Sequence, residues 1–167
     1  MATKAHLNPV IASHLVEIKA DEIPDTLVYI FEQGDAGDER CTYKDLYENS
    51  NKIARLFLDN GIDKGDTFAV FMKNYPEFVY ALLAGTTIGA IMVPIDPRSR
   101  GDKLRFLLHN CNAKAVIVED ELLSSLEEVL PNLPAIKLVS VVYKKGHAIP
   151  VADKYHALNE TIEKTTW

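Results

Sequence analysis

Gly65-Asp66-Thr67-Phe68-Ala69-Val70-Phe71-Met72, then Lys73-Asn74-Tyr75-Pro76-Glu77, then the uncharged run from Phe78 to Ile95, then Asp96-Pro97: this stretch decides the fold. The first piece is a short apolar run behind a Gly-Asp turn, which suits a buried strand. Pro76 fits the first position of a helix, where its missing N–H is not needed, and Glu77 places negative charge near that N-terminus. Phe78, Leu82 and Gly85 fall on one helical face. Gly89 ends the helix, and Ala90-Ile91-Met92-Val93 reads as a second buried strand, closed by Pro94 and Pro97 because neither can donate to a ladder. Strand, helix and strand joined by short links make a parallel βαβ unit, right-handed by default.

Two rival readings of the stretch fail on physical grounds. Gly85 and Gly89 have the spacing of a membrane GxxxG pair, but a membrane helix wants about 20 apolar residues. This run is shorter, breaks at Gly89-Ala90, and carries Thr86-Thr87 and Pro94. Close approach of a helix to a sheet is the simpler use of these glycines. Gly85-Thr86-Thr87-Ile88-Gly89 also resembles a phosphate loop, yet it lies at a helix C-terminus, whereas phosphate needs the N–H groups of an N-terminus.

On the N-terminal side, Asn8-Pro9 reads as a helix start, with Ile11, Leu15 and Ile18 as its apolar face. A linker follows over Ala20 to Asp25. Thr26 to Phe31 is a strand, Gly34 to Asp38 a loop, and Glu39 to Cys41 the second arm of a hairpin. Thr42-Tyr43-Lys44-Asp45 resembles a capping box with Asp in the usual Glu position. The helix behind it presents Leu46, Ile53 and Phe57, flanked by Tyr43 and Leu56, and stops at Asn60-Gly61. On the C-terminal side, Ser99-Arg100-Gly101-Asp102 reads as a second capping box, with Leu104, Leu107, Leu108 and Cys111 as the buried stripe. Ala113 to Val118 is a strand. Asp120 is placed to cap a third helix, with Leu122, Leu123, Leu126, Val129 and Leu130 inward and Pro131 barring its extension. Lys137 to Val142 is another strand, and Leu158 to Trp167 a final helix. Strands alternating with amphipathic helices argue α/β architecture: an open, mainly parallel sheet with helices on both faces, plus an N-terminal β-hairpin. The expected organisation is a helix and linker over residues 1–25, an α/β subdomain over 26–142, and a tail over 143–167.

Composition narrows the function classes. The chain has 167 residues, is 47% hydrophobic and 25% charged, and carries a net charge of −6. That excludes wholesale disorder. Lys144-Lys145 is the only adjacent basic pair, so nucleic acid is not an expected partner. Cys41 and Cys111 form no CxxC, and residues 1–20 lack a signal-peptide core, which favours a reducing, cytoplasmic setting. His6, His14, His109, His147 and His156 are scattered without metal-ligand spacing, so no metal site is expected.

Few residues can carry chemistry. Lys73, Asn74 and Tyr75 follow one strand, and Asp96, Arg98 and Arg100 the next; in open parallel sheets the carboxyl ends of strands face ligands. Asn74, Arg98 and Arg100 are therefore candidates for an anion or ligand mouth, with Arg98 and Arg100 able to hold an anion above the helix that begins near Arg100. The commoner role of such arginines is solvated loop charge. Glu119-Asp120-Glu121 can offer oxygens to a hard cation, or more simply cap a helix and complement its dipole. No Ser–His–Asp or Cys–His arrangement, GxGxxG or GxxxxGK[ST] is present, and no residue is assigned as catalytic.

Read in order, these segments resemble the N-terminal part of the adenylate-forming superfamily of AMP-forming acyl-CoA synthetases, luciferases and peptide-synthetase adenylation domains. Thr42-Tyr43-Lys44-Asp45-Leu46 is similar to the family's T-Y-x-E-L helix start. Gly61-Ile62-Asp63-Lys64-Gly65-Asp66-Thr67-Phe68-Ala69-Val70 is similar to G-V-x-K-G-D-x-V-A-I. Asn74-Tyr75-Pro76-Glu77-Phe78 resembles N-S-P-E-F, with Tyr75 in place of a small N-cap. Gly89 to Pro97 resembles G-A-V-x-V-P-L-N-P, and Lys114 to Val118 fits the strand that follows. The wording from Ile88 to Ile95 leans towards carnitine/crotonobetaine and medium-chain acyl-CoA ligases.

The resemblance implies a parent enzyme that joins a carboxylic acid to ATP with Mg²⁺, then passes the acyl group to CoA, a ligase of fatty acid metabolism. It also implies what this chain lacks: the Ser/Thr/Gly-rich phosphate loop, the Tyr-Gly-x-Thr-Glu segment, the ribose-binding Asp and the C-terminal catalytic Lys. In the family all of these come later, and Trp167 falls shortly before the phosphate loop is expected. The expectation is therefore an N-terminal fragment, inactive by itself and holding none of ATP, Mg²⁺ or CoA. Its partner would be the remainder of the ligase, and exposed apolar surface would favour self-association. The alternative is a stand-alone, non-catalytic α/β binding module derived from such a ligase.

Overall fold

The computed structural model describes residues 7–32, 37–143 and 154–164. The hairpin consists of β1 (Leu27–Phe31) and β2 (Glu39–Thr42), paired antiparallel. The main sheet holds β3 (Thr67–Phe71), β4 (Ile91–Pro94), β5 (Ala113–Glu119), β6 (Leu138–Val142) and β7 (His156–Ala157). Every pairing in it is parallel, and the order is β4-β3-β5-β6-β7. Among the described residues six α-helices accompany the strands: α1 (Ala12–Glu22), α2 (Tyr43–Asp59), α3 (Pro76–Ile88), α4 (Gly101–Asn110), α5 (Leu123–Val129) and α6 (Leu158–Lys164). The expected open parallel sheet and hairpin are both present. Gly34, Asp35 and Ala36 of the expected loop, the Lys144-Lys145 pair, His6, His147 and residues 165–167 of the expected last helix lie outside the described residues.

Alternation along β3 explains how the sheet is clothed. Phe68 and Val70 face a core shared with α1, α2, α3 and α6, through Val16, Ile53, Phe57, Ala81, Ala84 and Leu158. Ala69 and Phe71 face a second core with α4, α5 and the turn before α5, through Leu104, Leu108, Leu126 and Leu122. Both faces of the central strands β3, β5 and β6 are thereby largely dry, which is why they read as continuous apolar runs rather than as alternating ones.

The βαβ unit closes through Gly85. A Cβ added there would stand 2.9 Å from Phe68 Cε1, 3.1 Å from Phe68 Cζ and 3.2 Å from the Ala90 carbonyl oxygen. The glycine thus lets α3 lie directly on β3. Gly89, at φ 75°, turns the chain out of the helix in a left-handed conformation that a side chain resists. At the same, N-terminal end of β3, the Gly65 N–H donates to the Gly89 carbonyl at 2.9 Å, and Asp66 accepts both from the Asp63 N–H at 3.0 Å and from Lys114 Nζ on β5. Among the described residues β4 pairs only with β3, and Ile91 on that margin is 54% exposed.

Local signals were right in some places and overridden in others. Thr42 and Asp45 form the expected reciprocal capping box at the start of α2. Asn8 does not cap α1: its Oδ1 accepts from the Val10 N–H at 3.0 Å, and the helix begins at Ala12. The side of α1 that is buried carries Ser13 and Val16, not Ile11 and Leu15, because α1 meets α2 and α3 along that stripe. Ser99 is buried but caps nothing; Arg100 holds the N-cap position of α4 without a side-chain bond. Leu82 is 43% exposed, and α3 packs instead through Tyr80, Ala81, Leu83, Ala84 and Gly85. Asp120 spends its side chain on the Glu121 N–H within a single 3-10 turn ahead of α5. The short β7 was not foreseen.

Replacing Gly85 with Ala trades a helix-propensity gain of about 1 kcal/mol against overpacking that costs roughly 1–3 kcal/mol. Neither the buried Phe68 ring nor the Ala90 carbonyl has room to withdraw. Gly85→Ala should lower the urea midpoint by a net ~1 kcal/mol, and Gly85→Val by more. Leu82→Ala on the exposed side of the same helix should change it by under about 0.5 kcal/mol.

Candidate functional site

Strand order and helix placement locate the crevice. After β3 the chain leaves to α3 on one face, and after β5 it leaves to α5 on the opposite face. Numbered from β3, the order is 2-1-3-4-5, whose switch point lies between the first and third strands. Adjacent strands with helices departing to opposite faces open a cleft at their carboxyl ends, the usual ligand position in such sheets. Here the residues around that cleft are Lys73-Asn74-Tyr75 and Glu119-Asp120-Glu121.

The cleft is occupied by its own side chains. Glu119 ends β5 with 0% exposure, and its Oε2 accepts from the Lys73 backbone N–H at 3.0 Å. Lys73 Nζ sits 3.6 Å from Glu119 Oε1 and 2.8 Å from Glu121 Oε2. A buried carboxylate survives only when paired and hydrogen-bonded, and Lys73 supplies both contacts. These contacts tie the exits of β3 and β5 together, with Glu119 buried beneath and the Lys73–Glu121 pair at the surface.

Asn74, Arg98 and Arg100 come to the same edge of the sheet, yet not as an open anion trap. Asn74 is exposed in the bend before α3. Arg98, 90% exposed, makes a two-pronged contact with Asp96, at 2.9 Å from Nη2 and 3.1 Å from Nε. That guanidinium holds the Asp96 carboxyl well below the usual carboxylate range. Arg100 Nη1 donates to the Pro97 and Ser99 carbonyls at 2.6 and 2.8 Å. Both arginines therefore brace the link between β4 and α4.

Other chemistry is limited by burial. Cys41 lies 3.5 Å from the Tyr80 hydroxyl, and burial pushes its thiol up, as it does that of Cys111, so neither is poised as a thiolate nucleophile. Among the described residues no group of three or more acidic, His or Cys side chains could hold a metal ion. No helix among them is long and apolar enough to cross a membrane. At the mouth of the cleft Glu121 pairs with Lys73, with the Glu119 carboxylate buried beneath them.

Sequence reasoning singled out Glu119-Asp120-Glu121 as oxygens for a hard cation or, more simply, as helix-capping charge, and in neither case as a strand-end ion pair. The missed signal is that Glu119 directly continues Ala115-Val116-Ile117-Val118, so a carboxylate at the end of a doubly buried strand needs a partner from the next strand. Glu119→Ala leaves the Lys73 N–H without its acceptor and should cost about 1–3 kcal/mol in chemical denaturation. Glu119→Gln retains an acceptor and should cost less than Glu119→Ala. Amide exchange at Lys73 should accelerate in the alanine variant.

Known proteins resemble both the sequence and the fold. A medium/long-chain-fatty-acid–CoA/3-oxocholest-4-en-26-oate–CoA ligase of Mycobacterium marinum is 32% identical over 128 residues, 77% of this chain and 22% of that protein. A crotonobetaine/carnitine–CoA ligase of Citrobacter koseri is 33% identical over 124 residues, 74% of this chain and 24% of that protein. The chain thus spans about a fifth to a quarter of the length of the curated relatives it matches. A crystal structure described as a long-chain-fatty-acid CoA ligase from Rhodopseudomonas palustris shares the fold at TM-score 0.75 and 20% identity, over 89% of this chain and 35% of that one. The AMP-binding enzyme family matches residues 16–164, a span that takes in the hairpin, every strand of the sheet and all but the first turn of α1. The chain belongs to the AMP-binding enzyme family.

Proposed function

We propose that this chain is the N-terminal portion of an AMP-forming acyl-CoA ligase and has no ligase activity alone. The whole enzyme would join a carboxylic acid to ATP, releasing pyrophosphate, and transfer the acyl group from the adenylate to CoA. The observation that carries the proposal is the match to two CoA ligases over about three quarters of this chain and under a quarter of theirs. The name of the Mycobacterium marinum ligase supports an acid of fatty-acid type, and two unpaired cysteines are in keeping with a reducing, cytoplasmic setting.

The cleft chemistry points the same way. Acid activation needs preorganised positive charge and N–H donors around a triphosphate, with Mg²⁺ as a further counter-charge. Lys73 at the mouth is already held by Glu119 and Glu121. Within this proposal the sheet is a scaffold against which the rest of the ligase packs. Asn74, Arg98 and Arg100 lie on its rim, where the two arginines contribute at most an ancillary anion contact.

Pure 167-residue chain, incubated with ATP, Mg²⁺, labelled pyrophosphate and a panel of fatty acids, should give no exchange of label into ATP above a protein-free control. Robust exchange would overturn the inactivity. Reading the coding sequence beyond codon 167 tests the parent assignment: a continuing frame with a Ser/Thr/Gly-rich loop is expected, and a frame with no ligase segments speaks against it.

A further inference from the structure

The seam beneath α1 poses a physical problem. The helix turns Ser13 and Val16 inward and leaves Ile11 and Leu15 39% and 40% exposed. Burying a hydroxyl while two large aliphatic side chains face water is unfavourable unless the hydroxyl finds a partner. Ser13 is only 9% exposed, and its Oγ is buried without a hydrogen bond to any described residue. It lies on the wall of a pocket of about 130 Å³ where α1, α2 and α3 meet. One ordered water needs about 10–15 Å³ of such space, so the pocket has room for a small molecule.

The rest of the wall is polar in one sense. The Ser50 hydroxyl and one Asn51 amide N–H donate to the Tyr47 carbonyl at 3.1 and 2.8 Å, and the Thr87 hydroxyl donates to the Leu83 carbonyl at 2.9 Å. Each of these protons is used within its own helix. The oxygens Ser50 Oγ, Asn51 Oδ1 and Thr87 Oγ1 accept no hydrogen bond from any described residue. Glu17 adds the only carboxylate on the wall and keeps a further contact of its own. His14 accepts from the Asn8 N–H at 3.0 Å through Nδ1, which leaves its ring proton on Nε2. Accepting oxygens on five side chains thus stand against three remaining hydrogens, on Ser13, His14 and Asn51.

We propose that this pocket is a binding site for a small ammonium-type cation, a group that donates several N–H bonds and accepts none. Water brings donors and acceptors in equal number. An ammonium group brings N–H donors alone, together with the charge that suits Glu17. Held by Ser13 of α1, Asn51 of α2 and Thr87 of α3, the ligand joins the three helices and gives the buried Ser13 oxygen the partner it lacks. The inference stands on this pocket and does not rest on the ligase reading.

Methylammonium chloride titrated into the isotope-labelled 167-residue chain tests this, with tetramethylammonium chloride, which has no N–H, holding the ionic strength constant. Backbone amide resonances of residues 13–17, 50–51 and 87 should shift and saturate, with half-saturation on the order of tens of millimolar for so small a probe. Those of β5 and β6 should stay in place. Ser13→Ala and the isosteric Thr87→Val each remove one oxygen, and each should weaken binding roughly three- to tenfold. Unmoved β5 and β6 resonances identify a folded variant, and because the two positions lie on different helices either variant alone is decisive. Shifts that are absent or still linear at about 200 mM, or a half-saturation unchanged in either folded variant, would overturn the proposal and leave a pocket that holds water only.

Discussion

The fold rests on the contact between Gly85 and the Phe68 ring. Phe68 is the first wholly buried residue of the strand around which the sheet is assembled, and its ring also packs on Phe57 of α2 at 4.7 Å between centroids. A helix bearing any side chain at position 85 would have to lift away from that ring. Because it does not, β4 can return beside β3 in parallel, and the later strands extend the sheet on the other side. The helices that cover the two faces follow from that first crossover, since each parallel connection must pass over one face.

Much of this was legible from residues alone. The Gly65-to-Pro97 stretch announced strand, helix, left-handed stop and strand, because each boundary is enforced by local chemistry: a proline without an N–H, a glycine with positive φ. The Thr42 capping box was legible for the same reason. The errors came where tertiary packing chose between equally plausible local options. Leu15 and Leu82 look buried on a helical wheel, but the neighbouring helices lie against Val16 and Ala81 instead. Ser99 and Asn8 look like caps, and each lost to a competing geometry one or two residues away. Strand β7, two residues long, carries too little pattern to be seen before β6 provides a partner for it.

The cleft was legible in position but not in content. A sheet with alternating helices places ligand-facing residues at the carboxyl ends of its strands, and that much needs no coordinates. Whether Arg98 is free or bound to Asp96, and whether Glu119 faces water or the core, depends on side-chain geometry that spacing does not encode. The outcome is an edge whose charges mostly neutralise one another. Such an edge is largely complete in its own electrostatics.

The open margin of β4 has a consequence for how the chain behaves in company. Among the described residues β4 pairs on one side only, so the backbone of its other margin, beside exposed Ile91, can template another extended polypeptide, as sheet edges do in the early steps of fibril growth. This margin is four residues long and ends at Pro94, which has no hydrogen to offer. Any strand that adds there finds only a few rungs of ladder, too short a register for stacking to propagate.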